Sequence, residues 1–379
     1  MKIVLLSHSY PPSIGGVATS VKRLALMLKE KGFSIFISTL SGKLLPGEEK
    51  ITEEDGITLY HLGKFPGTSD TKASWFEQLC RIIDKHKINI VHSYYASRAG
   101  FTGTMAAKLK GIKSVVSIRG NDLEKDMFCG SDFPLIEWTL KNCSSVTAVS
   151  KELKDLASVI IPEKKIHVIY NSVNSSLFKK NLPDREFLLN LSIPEGEPLI
   201  GFIGEGKTKK GIYSLLKAFA NLLEEKKSHL FLIGRMRQEI AELIKFFREE
   251  NKLFNHYLHI FPPVLPEYII KFYNLLDIFI MPSLKDGMPN GILEAMACEL
   301  PVITTGAIQK LVKNEKTGII VEPGNINELT CAMIKLLNSK GLREKMGKEG
   351  RERVIEHFSP DKELEGNIEI YNNLMNTGL

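Results

Sequence analysis

Short apolar runs alternate with helix-like segments from the first residues of the chain. The run KIVLLS at 2–7 is followed by an amphipathic pattern over 20–32 and by SIFISTL at 34–40, which predicts strand, helix, strand. Apolar strands joined by helices are typical of a parallel sheet covered on both faces. The same rhythm predicts a helix over 97–110 and further strands at 88–93, 113–118, 144–150 and 166–170.

The rhythm is interrupted once, by a polar segment with three prolines at 171–198. After it, the pattern predicts strands and helices again, so we place a domain junction there. The second series predicts helices over 214–227, 237–250, 266–276 and from 291, and strands at 199–204, 229–234, 258–261, 277–282, 301–305 and 318–323.

The predicted fold is α/β, with two doubly wound Rossmann-like domains facing each other across a cleft. Residues 1–175 form the first domain, residues 176–359 form the second, and the helical segment 360–379 returns to the first. In open parallel sheets, ligands bind beyond the carboxyl ends of the strands. We therefore expect the active site in the cleft.

Composition agrees with a globular protein, because 43% of the 379 residues are apolar and 25% are charged. The five cysteines include no C-x-x-C pair, which argues against a disulfide framework or a zinc knuckle. The first strand is too short for the core of a signal peptide, and no apolar stretch approaches the ~18 residues of a membrane span. We expect a cytoplasmic protein.

The formal charge of +6 is concentrated in the first half, where residues 1–171 hold 23 basic and 17 acidic side chains. This excess is either a solvated surface or a peripheral contact with an anionic membrane at its inner face, made through the N-terminal domain. The sequence has no basic cluster of the kind that binds nucleic acid.

Two glycines, Gly15 and Gly16, stand between the first predicted strand and the first predicted helix. Without side chains, such a turn leaves backbone N–H groups at a helix N-terminus, where a phosphate is favoured by hydrogen bonding and by the helix dipole. A tight connection without a ligand is the alternative. The segment does not match G-x-G-x-x-G, which argues against a dehydrogenase.

The segment GEGKTKKG at 204–211 occupies the matching place in the second domain. Its side chains Lys207, Lys209 and Lys210 offer positive charge to a diphosphate leaving group. A solvated lysine-rich loop is the alternative.

Two carboxylates, Asp286 and Glu294, flank the predicted start of a helix near Asn290 or Gly291, with Glu294 in its first turn. Carboxylates accept hydrogen bonds from hydroxyl groups, such as those of ribose or a sugar, while backbone amides at the helix start donate to phosphates. Alternatively, Glu294 complements the helix dipole and Asp286 forms a turn. The turn between them, Gly287, Met288, Pro289 and Asn290, belongs to the same candidate ligand site.

The order of these motifs resembles that of the retaining glycosyltransferases of family four, which have the GT-B fold. The similarity extends over nearly the whole chain. The segments that carry it are PPSIGG (11–16), VHSYYASRAG (91–100), TAVSKEL (147–153), VIYNSVNSSLF (168–178), IGEGKTKKG (203–211) and PSLKDGMPNGILEAMACELPVI (282–303).

The resemblance implies that Glu294 binds the ribose and Asp286 the donor sugar. It implies that Gly16 approaches the diphosphate and that Lys210 neutralises it. Arg119 falls where many relatives have a histidine near the reacting sugar, and it adds a permanent charge. The residues expected on the acceptor side are His92, Asn121 and Asp122.

The sequence departs from the family at Glu205, where an arginine is usual, and in the segment 306–312, which is short and contains Lys310. Either Lys207 or Lys209 replaces that arginine, or donor binding is weak. No metal or other cofactor is expected, because the lysines and the helix start supply positive charge; the nucleotide-sugar is a co-substrate.

The expected activity is transfer of a sugar, with retention, from a UDP-sugar or GDP-sugar to a glycan or lipid-linked acceptor. It fits synthesis of a cell-surface polysaccharide, lipopolysaccharide or glycolipid. Because no second carboxylate is placed as a nucleophile, we expect front-face attack. The alternatives are a degenerate GT-B protein that binds a nucleotide or glycan without turnover, and a GT-B sugar-nucleotide epimerase.

Overall fold

The computed structural model describes residues 1–13, 15–308 and 310–376. The chain forms two compact units: the first comprises Met1–Asn171 and Pro360–Leu379, and the second comprises Ser172–Ser359. The first segment of the first unit ends at Asn171, four residues before the predicted domain boundary at 175. The second unit ends at Ser359, which is also the end predicted for the second domain.

The first unit has an eight-stranded sheet in the order β3-β4-β2-β1-β5-β6-β7-β8. Its neighbouring strands run parallel, except that β3 is antiparallel to β4. The strands are β1 (Lys2–Ser7), β2 (Ser34–Ser41), β3 (Glu49–Glu54), β4 (Ile57–Gly63), β5 (Ile90–Tyr94), β6 (Lys113–Ile118), β7 (Ser145–Ala148) and β8 (Ile166–Val168). The helices before the junction are α1 (Gly16–Glu30), α2 (Thr68–His86), α3 (Arg98–Leu109), α4 (Asn121–Glu124), α5 (Phe133–Asn142) and α6 (Lys151–Ser158).

The second unit has a six-stranded, all-parallel sheet in the order β11-β10-β9-β12-β13-β14. Its strands are β9 (Leu199–Ile203), β10 (His229–Ile233), β11 (Leu258–Phe261), β12 (Ile278–Met281), β13 (Val302–Thr305) and β14 (Gly318–Val321). Its helices are α7 (Arg185–Asn190), α8 (Ile212–Glu225), α9 (Gln238–Glu250), α10 (Phe254–Tyr257), α11 (Pro266–Leu275), α12 (Asn290–Ala297), α13 (Ile326–Leu337) and α14 (Lys340–His357). The last helix of the chain, α15 (Pro360–Asn376), belongs to the first unit.

Both faces of the first sheet are buried, as the continuous apolar strands predict. Along β1, Ile3 and Leu5 face one core together with α1 and α15, whereas Val4 and Leu6 face a second core with α2 and α3. Side chains alternate between the two faces of a strand, so a strand buried on both faces must be apolar throughout. The α/β prediction of two Rossmann-like units is confirmed.

The described residues include no helix that is both long and apolar enough to cross a membrane.

Candidate active site

Two loops of the second unit meet because their strands are neighbours. The loop 204–211 follows β9 and the loop 282–289 follows β12, and β9 pairs with β12 in the parallel sheet. A backbone hydrogen bond of 2.9 Å from the Leu284 amide to the Lys209 carbonyl joins the loops. The lysine loop and the first carboxylate of the sequence analysis therefore lie at the same edge of the sheet.

Lys210 and Asp286 form an ion pair between these loops. Both side chains are largely buried, with 12% and 14% of their surface exposed. The other carboxylate oxygen of Asp286 accepts a hydrogen bond of 3.1 Å from the Gly287 amide. A pair this shielded from water is weakly screened by salt, so it joins the two loops firmly.

Glu294 lies at the start of the second turn of α12, because the helix begins at Asn290; the prediction that it lies in the first turn is wrong by one residue. One of its carboxylate oxygens accepts a hydrogen bond of 2.7 Å from the Tyr273 hydroxyl. Tyr273 is fully buried, and burial together with the nearby Glu294 charge raises its pKa well above the ordinary value. The tyrosine therefore stays protonated and donates to the carboxylate.

The start of α12 has the features expected of a site for an anionic or hydroxyl-bearing ligand. Its N-cap is Pro289, and no side chain caps the helix. Among the described residues, two buried oxygens near this helix start have no hydrogen-bond partner: Oδ1 of Asn290 and Oγ of Ser283. Buried polar atoms are normally paired in proteins, so these oxygens indicate a place where a ligand or water supplies the partner. Met288, predicted as a donor-binding residue, is buried.

Glu205, which stands where the family usually has an arginine, binds two basic side chains. Its carboxylate lies 2.9 Å from Lys207 Nζ and 2.7 Å from Arg237 Nε. Burial raises the pKa of this carboxyl, but the hydrogen bonds from Arg237 and Lys207 outweigh it and the net pKa is lowered. Lys207 is thus held by an internal carboxylate, and Arg237, which the sequence analysis did not identify, adds a second cation beside it.

In the first unit, Gly15 is the N-cap and Gly16 the first residue of α1, and no side chain caps this helix. Arg119 follows β6 and lies beside the same helix. Its Nη2 donates to Ser20 Oγ at 2.9 Å and to Asn171 Oδ1 at 2.7 Å. Ser20 in turn donates to the Gly16 carbonyl at 2.8 Å, so Arg119 is tied to the first turn of α1.

His92 is a correction to the predicted acceptor side. Its ring is fully buried, with Nδ1 2.6 Å from Tyr371 Oη and Nε2 2.7 Å from Ser117 Oγ. Burial, with a smaller effect of the Arg119 charge, lowers its pKa to about 3. A neutral ring with both nitrogens bonded to side chains joins β5 to α15 rather than contacting an acceptor.

Asp122 is a second correction. Its carboxylate is fully buried and accepts hydrogen bonds from backbone amides, at 3.1 Å from Ala96, 2.9 Å from Gly120 and 3.1 Å from Arg119. Burial raises its pKa to about 6 despite these bonds. Asp122 therefore holds the loop after β6 in shape, whereas its neighbour Asn121 is partly exposed at the start of the short helix α4.

The described residues contain no group of three or more His, Cys, Asp or Glu side chains arranged to hold a metal ion.

Comparison with known proteins identifies the family. The sequence model of "Glycosyltransferase Family 4" matches residues 14–177, and that of "Glycosyl transferases group 1" matches residues 185–353. The capsular polysaccharide biosynthesis glycosyltransferase CapM of Staphylococcus aureus is 31% identical over 304 residues, which cover 73% of this chain and 75% of CapM.

Solved structures show the same fold. Sucrose-phosphate synthase from Thermosynechococcus elongatus is similar with a TM-score of 0.86 at 20% identity over 100% of both chains. HepE from Anabaena, solved in complex with UDP-glucose, is similar with a TM-score of 0.82 at 15% identity over 98% of this chain and 100% of HepE. The chain therefore belongs to the group 1 glycosyltransferases of family four and has the GT-B fold.

Proposed function

We propose that the chain transfers a sugar from a nucleoside diphosphate donor to an acceptor hydroxyl, with retention at the anomeric carbon. Its role in this proposal is the synthesis of a cell-surface polysaccharide, lipopolysaccharide or glycolipid. The similarity to CapM supports the first of these products, and the similarity to HepE, solved with UDP-glucose, supports a nucleotide-sugar donor.

The observation that carries the proposal is the ion pair of Lys210, after β9, with Asp286 in the loop that leads from β12 into α12 and its Glu294. Lys210 and the α12 amides stabilise the negative charge that develops on the leaving diphosphate. Glu294 accepts hydrogen bonds from the ribose hydroxyls, and Asp286 accepts them from the donor sugar. In this proposal the positive groups bind the diphosphate, and the two carboxylates bind hydroxyl groups of the donor.

The charge on the diphosphate is balanced by side chains and a helix start, so we propose a reaction that requires no metal ion. A departing phosphate oxygen takes the acceptor proton as the new glycosidic bond forms on the same face. The first unit binds the acceptor. An assay with and without a chelator tests this proposal. Loss of activity with the chelator would show that the reaction does require a metal ion.

A thermal-shift screen of uridine, guanosine and adenosine diphosphate sugars tests donor binding, because a ligand of the folded state raises its stability. The best donor is then used in assays of transfer and hydrolysis. Binding with neither transfer nor hydrolysis would favour the degenerate binding protein. A changed sugar nucleotide formed without acceptor would favour an epimerase.

The variant Lys210→Ala removes the cation that pairs with Asp286. Loss of a preorganised charge at a leaving group costs about a hundredfold in rate, so we expect kcat to fall by that factor. Lys340→Ala, in which the changed side chain is 81% exposed on the same unit, is the matched control. Wild-type turnover in Lys210→Ala would contradict the proposal.

A further inference from the structure

Among the described residues, no carboxylate forms a hydrogen bond or an ion pair with the guanidinium of Arg119. The two hydrogen-bond acceptors of its guanidinium, Ser20 Oγ and Asn171 Oδ1, are neutral and both bind Nη2. Its third neighbour is the ring of Tyr94, whose centroid is 5.4 Å from the guanidinium carbon. In the part of the chain that the structure describes, Nε and Nη1 make no hydrogen bond or ion pair.

The carboxylates close to Arg119 are committed elsewhere. Asp122 accepts hydrogen bonds from three backbone amides. Glu363 on α15 binds Arg23 with both oxygens, at 2.8 and 3.1 Å, and acts on Arg119 only through its charge, without a hydrogen bond. A partly buried guanidinium normally has an anionic partner, because removing an unpaired charge from water is costly. The partner of Arg119 is therefore to be sought outside the chain.

Other positive groups stand at the same edge of the first sheet. The uncapped start of α1, a helix of 15 residues with no acid in its first turn, is linked to Arg119 through Ser20. Lys64 follows β4, and Arg98 follows β5; both act on His8, whose pKa is lowered to about 4 by burial and then by these charges. Asp126 offsets part of the Arg98 charge.

We propose that Arg119 binds an anionic group, a phosphate or a carboxylate, carried by the acceptor. The inference rests on the proposed function, because it names the class of acceptor that the glycosyltransferase uses. The N–H groups of Nε and Nη1, which lie on either side of the bonded Nη2, are the donors that remain for such a group, and each can give it a charge-assisted hydrogen bond. Ser20 and Asn171 both accept hydrogen bonds from Nη2 and so fix the direction of the guanidinium.

Three probes of similar size test the proposal: glucose, glucuronate and glucose 6-phosphate. Their binding to the full chain is measured by calorimetry in the presence of a saturating nucleoside diphosphate. We expect at least one of the two anions to bind about tenfold or more tightly than glucose, and the stronger of the two identifies carboxylate or phosphate. Equal binding of all three probes would overturn the proposal.

Variants assign the preference to Arg119. Arg119→Gln should reduce anion binding to the level of glucose, and Arg119→Lys, which keeps the charge but has fewer fixed N–H donors, should give an intermediate loss. Asn171→Asp places an internal carboxylate on the guanidinium without changing the size of the side chain, so it should also weaken anion binding about tenfold. If Arg119→Gln does not fold, the Asn171→Asp variant is the test of whether Arg119 binds the anion. Arg185→Gln, an exposed arginine of the second unit, is the control.

Two outcomes separate this inference from the proposed function. If the nucleoside diphosphate displaces the anionic probe, Arg119 belongs to the donor diphosphate and the acceptor proposal is overturned, while the proposed function stands. If no nucleoside diphosphate binds the wild type but the anion preference depends on Arg119, the proposed function fails and the anion site stands.

Discussion

Tyr273 sets the direction of Glu294 by donating a hydrogen bond of 2.7 Å to one of its carboxylate oxygens. Tyr273→Phe removes only the hydroxyl, and a hydrogen bond to a charged group contributes about 1.5–3 kcal/mol. We expect the affinity for the nucleoside diphosphate to fall about tenfold, as measured by calorimetry. The affinity for the corresponding 3′-deoxy nucleotide should fall less, because Glu294 has less to bind there.

Tyr257→Phe is the matched control, since Tyr257 is also a buried tyrosine of the second unit. An equal loss for ribose and deoxyribose ligands in Tyr273→Phe would mean that the tyrosine acts on folding rather than on Glu294.

His92 gives stability a dependence on pH. Its pKa is about 3 in the folded protein, against the ordinary value of 6.5 that applies in the unfolded chain. Between these two pH values, the unfolded chain binds a proton that the folded chain does not. The free energy of unfolding should therefore fall as pH falls through this window. The contribution of a single group is about 1.4 kcal/mol per pH unit.

The variant His92→Gln removes this group and should reduce the slope of unfolding free energy against pH by about that amount, measured by urea denaturation between pH 6 and 4. A measurement at pH 7.5 first establishes that the variant folds. An unchanged slope would show that His92 is not responsible.

Single residues were predictable where a motif fixes their place along the chain. Lys210 and Asp286 each follow a predicted strand, so their presence at one sheet edge follows from the order of elements. The burial of His92 and Asp122 depends on α15 and on the backbone of the loop after β6, which the pattern around them does not reveal. Tyr273 was missed because it lies on α11, whose apolar pattern gives no sign of a polar contact.

At the scale of elements, strands buried on both faces were predicted best, because their apolar runs are continuous. The predicted range 113–118 coincides with β6, whose residues after Lys113 are all buried. The hairpin of β3 and β4 was not predicted, because β3 is a largely exposed edge strand of mostly polar residues. The Asp55-Gly56 pair in the sequence is typical of a hairpin turn and could have indicated it. In the structure these two residues have the positive φ angles, 52° and 66°, that a tight hairpin turn requires.

The loop that carries Lys210 depends on the glycine that follows it. Gly211 has a φ of +71°, and a Cβ there would lie 2.0 Å from the Pro282 carbonyl oxygen in the neighbouring loop. Gly211→Ala should therefore lower the free energy of unfolding by about 2 kcal/mol or more and displace Lys210, with a loss of donor affinity. Denaturant unfolding and calorimetry measure the two effects.

Gly196→Ala is the control, because Gly196 also has a positive φ, of +90°, but has open space around its Cβ position. Equal losses of stability in the two variants would attribute the effect to backbone conformation alone and not to the contact with Pro282.

At the scale of the whole molecule, each unit has its own sheet and core, and α15 completes the first. The pair of Arg23 with Glu363 joins α1 to α15, with 16% and 5% of the side chains exposed. Removing one partner of a buried pair costs about 3–5 kcal/mol, because the remaining charge loses its counterion. Glu363→Gln should therefore reduce hydrogen-exchange protection in α1 and α15 while α8 and α13 keep theirs.

Glu137→Gln serves as the comparison, since its partner Lys141 and Glu137 itself are 54% and 38% exposed and such pairs contribute about 0–1 kcal/mol. If Glu363→Gln lost protection equally in both units, the two cores would not be separate cooperative bodies.

The first unit is built from two segments of the chain that are separated by the whole second unit. The later segment, α15, supplies Leu364, Ile370 and Tyr371 to the core of the first unit. During synthesis on a ribosome, residues 1–171 emerge first but lack this last helix. The second unit, whose segments are contiguous, has all of its residues available earlier. The first unit can therefore complete its core only after the second unit has been translated.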